Sequence, residues 1–133
     1  MKDFDVQTVE LQAPFEVALR YIADPRRLPE WTNAFRSVSN GRAQLVTPRG
    51  AVEVGLTVDV VREAGTVDWT MTFPDGTVGR AFSRLVDTGS RRLYTFVLLA
   101  PPVALEELEG ALAEQSRTLR EELATLQDQL SGA

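Results

Sequence analysis

Histidine and cysteine are both absent from the 133 residues, and that absence restricts the available chemistry more than any residue present. Without them there is no Ser-His-Asp or Cys-His nucleophile, and none of the usual zinc, haem or facial-triad iron ligand sets. A disulfide framework and the commonest general base near neutral pH are lost as well. The nine glycines form neither a dinucleotide fingerprint nor a phosphate loop. What survives is acid–base work by a desolvated carboxylate, tyrosine or arginine.

The candidates for such work are few. Asp59 and Asp68 alternate with Val58 and Trp69 and are assigned to the solvent side of their strands. Arg80 and Arg84 share a face with Val78 and Phe82. Turned inward, two guanidinium groups would hold a carboxylate or polarise a carbonyl. The other register turns Gly79, Ala81, Ser83 and Leu85 inward, leaves room for a ligand and sends the arginines to water; it is the preferred one. Tyr21 and Tyr94 each offer a hydroxyl, although a tyrosine tip at a core boundary is the simpler role. No residue is therefore assigned as catalytic, no metal site or cofactor is expected, and binding is favoured over turnover.

Large apolar side chains are the better-supplied resource. Trp31, Phe35, Trp69, Met71, Phe73 and Phe96, joined by Leu108 and Leu112, are the expected lining of a pocket for a small hydrophobic molecule. The net charge is −5, and phosphate backbones and anionic lipid surfaces need a basic face. Nucleic acid is therefore excluded as an expected partner. No apolar run could span a bilayer and the N-terminus lacks a signal-peptide core, so a cytoplasmic protein without stable membrane insertion is expected. A chain of this length fits one domain, 1–133. Monomer and homodimer both remain open.

The elements that must position these side chains can be read in order. Phe4, Val6 and Thr8 alternate with Asp5, Gln7 and Val9 in a first strand ending near Leu11. Pro14 suits the first position of a helix whose apolar stripe is Phe15, Leu19 and Ile22. Asp24-Pro25 stops it, Asp24 can cap a second short helix through Leu28, and Pro29-Glu30-Trp31 leads out. Five turn signals follow: Asn40-Gly41, Pro48-Arg49-Gly50, Ala64-Gly65, Pro74-Asp75-Gly76 and Thr88-Gly89-Ser90. Between them lie strands, two with strict period two: Val52 to Val60, and Val67, Trp69, Met71, Phe73. Connections this short join antiparallel neighbours, which makes a six-strand meander and a sheet of seven. A strand from Ala51 to Glu63 would run about 40 Å at ~3.3 Å per residue, too long to stay flat. Gly55 and Gly79, each inside a strand segment, are expected to mark a bulge or sharp bend.

After Pro101-Pro102 the period becomes helical. Leu105, Leu108, Leu112, Leu119, Leu123, Leu126 and Leu130 form a stripe, and Gln115, Glu122 and Gln129 interrupt its heptads. One amphipathic face docked on the sheet fits that pattern better than a coiled coil. The fold class is thus α+β, with a curved seven-stranded antiparallel sheet around a long C-terminal helix and two short helices after the first strand closing the gap.

This order is similar to that of the START-related SRPBCC superfamily, the helix-grip or birch-pollen-allergen-like fold. Ala13-Pro14-Phe15-Glu16-Val17, Asp24-Pro25 and Leu28-Pro29-Glu30-Trp31 resemble its opening signature. Thr47-Pro48-Arg49-Gly50, Gly65-Thr66-Val67-Asp68 and Pro74-Asp75-Gly76 resemble marks of its bacterial polyketide cyclase/dehydrase-like members. The resemblance implies binding of a lipid, polyketide or similar apolar molecule in a cavity between sheet and helix. Its alternatives are a cyclase or dehydratase working with pocket Arg, Tyr or carboxylate groups, and a protein-interaction module of the co-chaperone kind. Members share no universal catalytic motif, so no catalytic residue carries over.

Overall fold

The computed structural model describes residues 3–47, 50–99 and 105–131, and within these the side chains of all but 47 and 105–112. The chain runs β1 (Phe4–Leu11), α1 (Phe15–Ala23), a 3-10 turn (Pro25–Arg27), α2 (Leu28–Trp31), then six strands. These are β2 (Phe35–Ser39), β3 (Arg42–Thr47), β4 (Gly50–Val61), β5 (Thr66–Thr72), β6 (Val78–Asp87) and β7 (Arg92–Leu99); α3 (Leu105–Ser131) follows. One curved sheet of seven strands has the order β1-β7-β6-β5-β4-β3-β2, every pair antiparallel. The meander of β2 to β7 and the expected α+β class are therefore present, with β1 closing on β7.

Turn chemistry sets the joints. Asn40 and Gly41 both take positive φ, 53° and 75°, which is what a two-residue hairpin between right-twisted strands requires. Gly65, at φ 73°, sits so close to the Leu85 carbonyl that a Cβ would collide with it, and its own carbonyl accepts from Leu85 N at 2.8 Å. Neither Gly55 nor Gly79 makes the expected bulge. Gly55 instead pairs with Arg42 on one side and Thr72 on the other, at the point where β4 passes from its β3 partner to its β5 partner. The register irregularity lies in β2, between Phe35 and Ser37.

Leu119, Leu123, Leu126 and Leu130 of α3 are buried, as the stripe predicts, against β1 and α2. Leu108 and Leu112 lie outside the described side chains. Three glutamine amides fasten the helix: Gln7 Nε2 donates to Ser116 O at 2.8 Å, Gln127 Nε2 to Glu10 O at 3.0 Å, and Gln129 Nε2 to Glu30 O at 3.4 Å. α1 buries Ala18, Leu19 and Ile22. Pro14 stands one residue before it, at the cap, not in its first turn. Asp24 caps the 3-10 turn by accepting from Arg26 N at 3.0 Å. The segment read as an exit is itself helical, so Trp31 belongs to α2 and is 3% exposed.

Candidate ligand-binding site

Alternation along β5 places Val67, Trp69 and Met71 on the inner face, with Phe73 just beyond the strand end. The β6 register then follows from pairing: Trp69 opposes Ala81 and Met71 opposes Gly79. Ser83 and Leu85 are accordingly buried, while Arg80, Phe82 and Arg84 are exposed. The preferred of the two registers is the observed one, and both arginines leave the inner face. Arg84 Nε donates to Ala64 O at 2.9 Å. Phe96 and Leu98 of β7 oppose Ser83 and Ala81, which carries the inner face across to β1.

Burial on this face falls along β5, β6 and β7 in one direction, whereas on β4 Val54 and Leu56 are buried and Val60 is exposed. At one end Leu11, Ile22, Leu85, Tyr94, Leu123 and Leu126 are all fully buried, α1 packing against β6 and α3 against β1 and α2. At the other end Met71, Phe73, Phe96 and Leu98 point inward but stay half-buried. Trp69, 5% exposed, stands at the boundary and stacks on Phe96 with ring centroids 5.7 Å apart. Gly79 borders this wall: a Cβ there would lie 3.4 Å from the Phe73 ring and 3.5 Å from the Met71 methyl, ordinary contact distances. Of the expected pocket residues, then, Trp69, Met71, Phe73 and Phe96 share one face, and Phe35 packs half-buried from β2. Trp31 sits in α2, off the sheet.

Two open surface depressions, of about 340 and 320 Å³, are lined mostly by residues off this face. The first, between α1 and the end of β4, carries the Arg62–Glu16 ion pair at 2.6 Å. The second carries Arg42–Glu53 at 2.7 Å and borders Phe73. Both pairs are exposed to solvent and hold little energy.

The polar groups of the inner face depart furthest from expectation. Tyr94 is not at a core boundary: it is fully buried, and its hydroxyl has no hydrogen-bond partner. Burial pushes its phenol far above the usual range; the Ser83 hydroxyl works against that rise and Asp68 adds to it. Ser83 and Tyr94 are thus polar neighbours, and Ser83 Oγ donates to Val67 O at 2.6 Å. Trp69 Nε1 and Trp31 Nε1 are likewise buried without an acceptor. Asp68, assigned to solvent, is half-buried and accepts from Ser83 N at 3.3 Å. Tyr21 behaves as the simpler role predicts: its hydroxyl donates to Glu30 at 3.0 Å, and burial with that bond raises its pKa to about 12.

Two carboxylates escape the sequence pattern. Asp5 lies on the inner parity of β1, opposite Leu98, and accepts from Gln7 Nε2 at 2.8 Å. β1 faces α3 with Asp5, Gln7, Val9 and Leu11, and exposes Phe4 and Val6; its mixed alternation conceals which side is which. Glu122 lies in the α3 stripe, 9% exposed, and its Oε2 accepts from Asn33 N at 2.6 Å and Ala34 N at 3.2 Å. Its position among Leu119, Leu123 and Leu126 is the signal that could have found it. Among the described residues no cluster of His, Cys, Asp and Glu could hold a metal ion, and no helix is long and apolar enough to cross a membrane.

Comparison with solved structures reveals the same architecture over nearly the whole chain. A START superfamily protein from Mycobacterium smegmatis superposes with a TM-score of 0.65 at 12% identity, covering 98% of this chain and 100% of that one. The chain has the START-like helix-grip fold. The Aha1 dimer from Colwellia psychrerythraea shares it, with a TM-score of 0.62, 15% identity and 98% coverage of both chains. DynU16, a protein of the dynemicin biosynthetic locus, matches at 0.65 and 18% identity; 99% of this chain corresponds to 48% of that one. No family model and no curated protein matches the chain. At these identities the START-like likeness establishes fold, and function must be argued from the site.

Proposed function

We propose that this protein binds a small, largely apolar molecule between the inner face of the sheet and the N-terminal half of α3. One observation carries the reading: on β5, β6 and β7 the inner face is buried at Val67, Trp69, Ser83, Leu85 and Tyr94, yet Met71, Phe73, Phe96 and Leu98 remain half-buried beyond Trp69. Inward apolar area left in that condition is available to a guest, at roughly 25 cal/mol for each Å² it covers. A pocket-sized apolar ligand is then expected at micromolar affinity, on the order of 8 kcal/mol. The neighbours' START-like fold is consistent with such a guest.

Binding without turnover is the favoured form, because the arginines capable of polarising a carbonyl face water. Asp5 on the inner face is the one feature that favours a cyclase or dehydratase instead. Native mass spectrometry of the freshly purified protein tests the main reading through a retained small molecule, displaced by Met71→Asp but not by Arg80→Ser. Turnover of polyketide-like substrates that disappears with Asp5→Asn would establish the enzymatic one. The protein is proposed as a single domain, monomeric or homodimeric.

A further inference from the structure

Resting on that reading, we infer that Gly79 decides which guests fit. It keeps a trough along β6 open for a slim leading end, an unbranched alkyl chain or the edge of one flat ring. Glycine inside a strand weakens it relative to alanine, and a bulge, a positive φ or a close approach normally accounts for its presence. The fold asks none of these of Gly79. Its pairing with Met71 continues a regular register through Thr70–Arg80 and Trp69–Ala81. Its φ lies outside the left-handed region that Gly41, Gly65 and Gly76 occupy. Among the described residues a Cβ would meet only the Phe73 ring and the Met71 methyl, at 3.4 and 3.5 Å, so the chain has room for alanine. Space for a molecule outside the chain is the reason that remains. Gly55 is equally unconstrained, but it stands in the outer row between Arg42 and Thr72.

The residues around Gly79 give the trough its shape. Gly79 and Ala81 form the floor, and both are half-buried. Met71 and Trp69 stand opposite them on β5, and Leu98 stands opposite Ala81 on β7. Two strand spacings of ~4.8 Å separate β5 from β7, and the side chains rising from both leave width for one chain or one ring on edge. The inner end closes where Trp69 and Phe96 stack across β6 with centroids 5.7 Å apart, beside buried Ser83. From Gly79 to Ala81 the floor runs about 7 Å at ~3.4 Å per residue. A slim end therefore reaches the stacked rings, and a branched one stops at the mouth. The Met71 methyl and the edge of the Phe73 ring lie over Gly79. Methionine is unbranched and adaptable, so it swings aside as the guest enters.

Two isomers, 4-butylphenol and 4-tert-butylphenol, serve as probes of the wild-type protein, titrated by calorimetry and tryptophan quenching. The linear isomer should bind about tenfold more tightly, because exclusion of the branched end forfeits burial of about two methylene groups. Gly79→Ala and Gly79→Val fill the trough stepwise. Alanine should weaken the linear isomer severalfold, and valine should bring the two isomers level. Gly79→Ala should melt no lower than the wild type. Arg80→Ser, on the outer face, should change neither affinity. Equal binding of the isomers to the wild type, or linear-isomer affinity untouched by Gly79→Ala, would overturn the inference and leave the apolar pocket standing. A clearly lower melting temperature for Gly79→Ala would overturn it too, since the fold itself would then need the glycine. Failure of both isomers to bind would overturn the pocket, and this inference with it.

Discussion

Replacing Glu122 separates two effects that its carboxylate combines. It accepts two backbone N–H groups from the segment joining α2 to β2, and it does so almost without solvent. Truncation in Glu122→Ala removes both bonds. Asn33 is exposed and its N–H can turn to water, while Ala34 is half-buried, so the loss should be about 2 kcal/mol, within the range for an orphaned donor. In a chain of this size that lowers the melting temperature by roughly 6–10 °C. Glu122→Gln keeps a carbonyl oxygen at the same place and removes only the charge. Burial holds the Glu122 carboxyl above its ordinary value, opposed by the two N–H donors and reinforced by Glu121. A folded pKa above the unfolded one means that the native state binds the extra proton between the two values. The Glu122 contribution to wild-type stability therefore declines as pH rises through that window and is level above it. Glu122→Gln should show no such decline, should equal or exceed the wild type at pH 7, and should converge with it below the unfolded carboxylate value of about 4.3. Urea unfolding between pH 4 and pH 8, followed by tryptophan emission, measures all three proteins. If Glu122→Gln is as damaging as Glu122→Ala at neutral pH, the charge itself stabilises the latch and the burial account is wrong.

Leu123→Ala, at a fully buried position of α3, should cost about 3 kcal/mol in urea unfolding; a loss under ~1 kcal/mol would mean that α3 does not dock on the core. Gly65→Ala should destabilise by more than about 2 kcal/mol, since it combines a positive φ with a collision against the Leu85 carbonyl; calorimetric melting checks it, and a near-neutral result would contradict the β5–β6 register. Tryptophan emission of the Trp31→Phe protein should be blue-shifted and resistant to iodide, as Trp69 is 5% exposed; emission of an exposed indole would place Trp69 on the wrong face.

Much of the architecture is legible before folding because it is local. Period two in Val52 to Val60 and in Val67 to Phe73 orients a strand whatever lies beside it, and Asn40-Gly41 makes a hairpin by its own backbone preference. The leucine stripe of α3 likewise identifies its docking face. Where both parities of a strand carry apolar residues, local pattern leaves the orientation open. β6 offers Val78 and Phe82 against Ala81 and Leu85, and only its pairing with Trp69 and Met71 turned Arg80 and Arg84 to water. β1 offers Phe4 and Val6 against Val9 and Leu11; the passage of α3 over Gln7 decided it, and brought Asp5 inward. Glu122, Tyr94 and the unpaired Trp69 Nε1 were decided in the same way. A polar atom's partners come from residues distant in sequence, so whether it is satisfied inside a core is a property of the assembled fold alone.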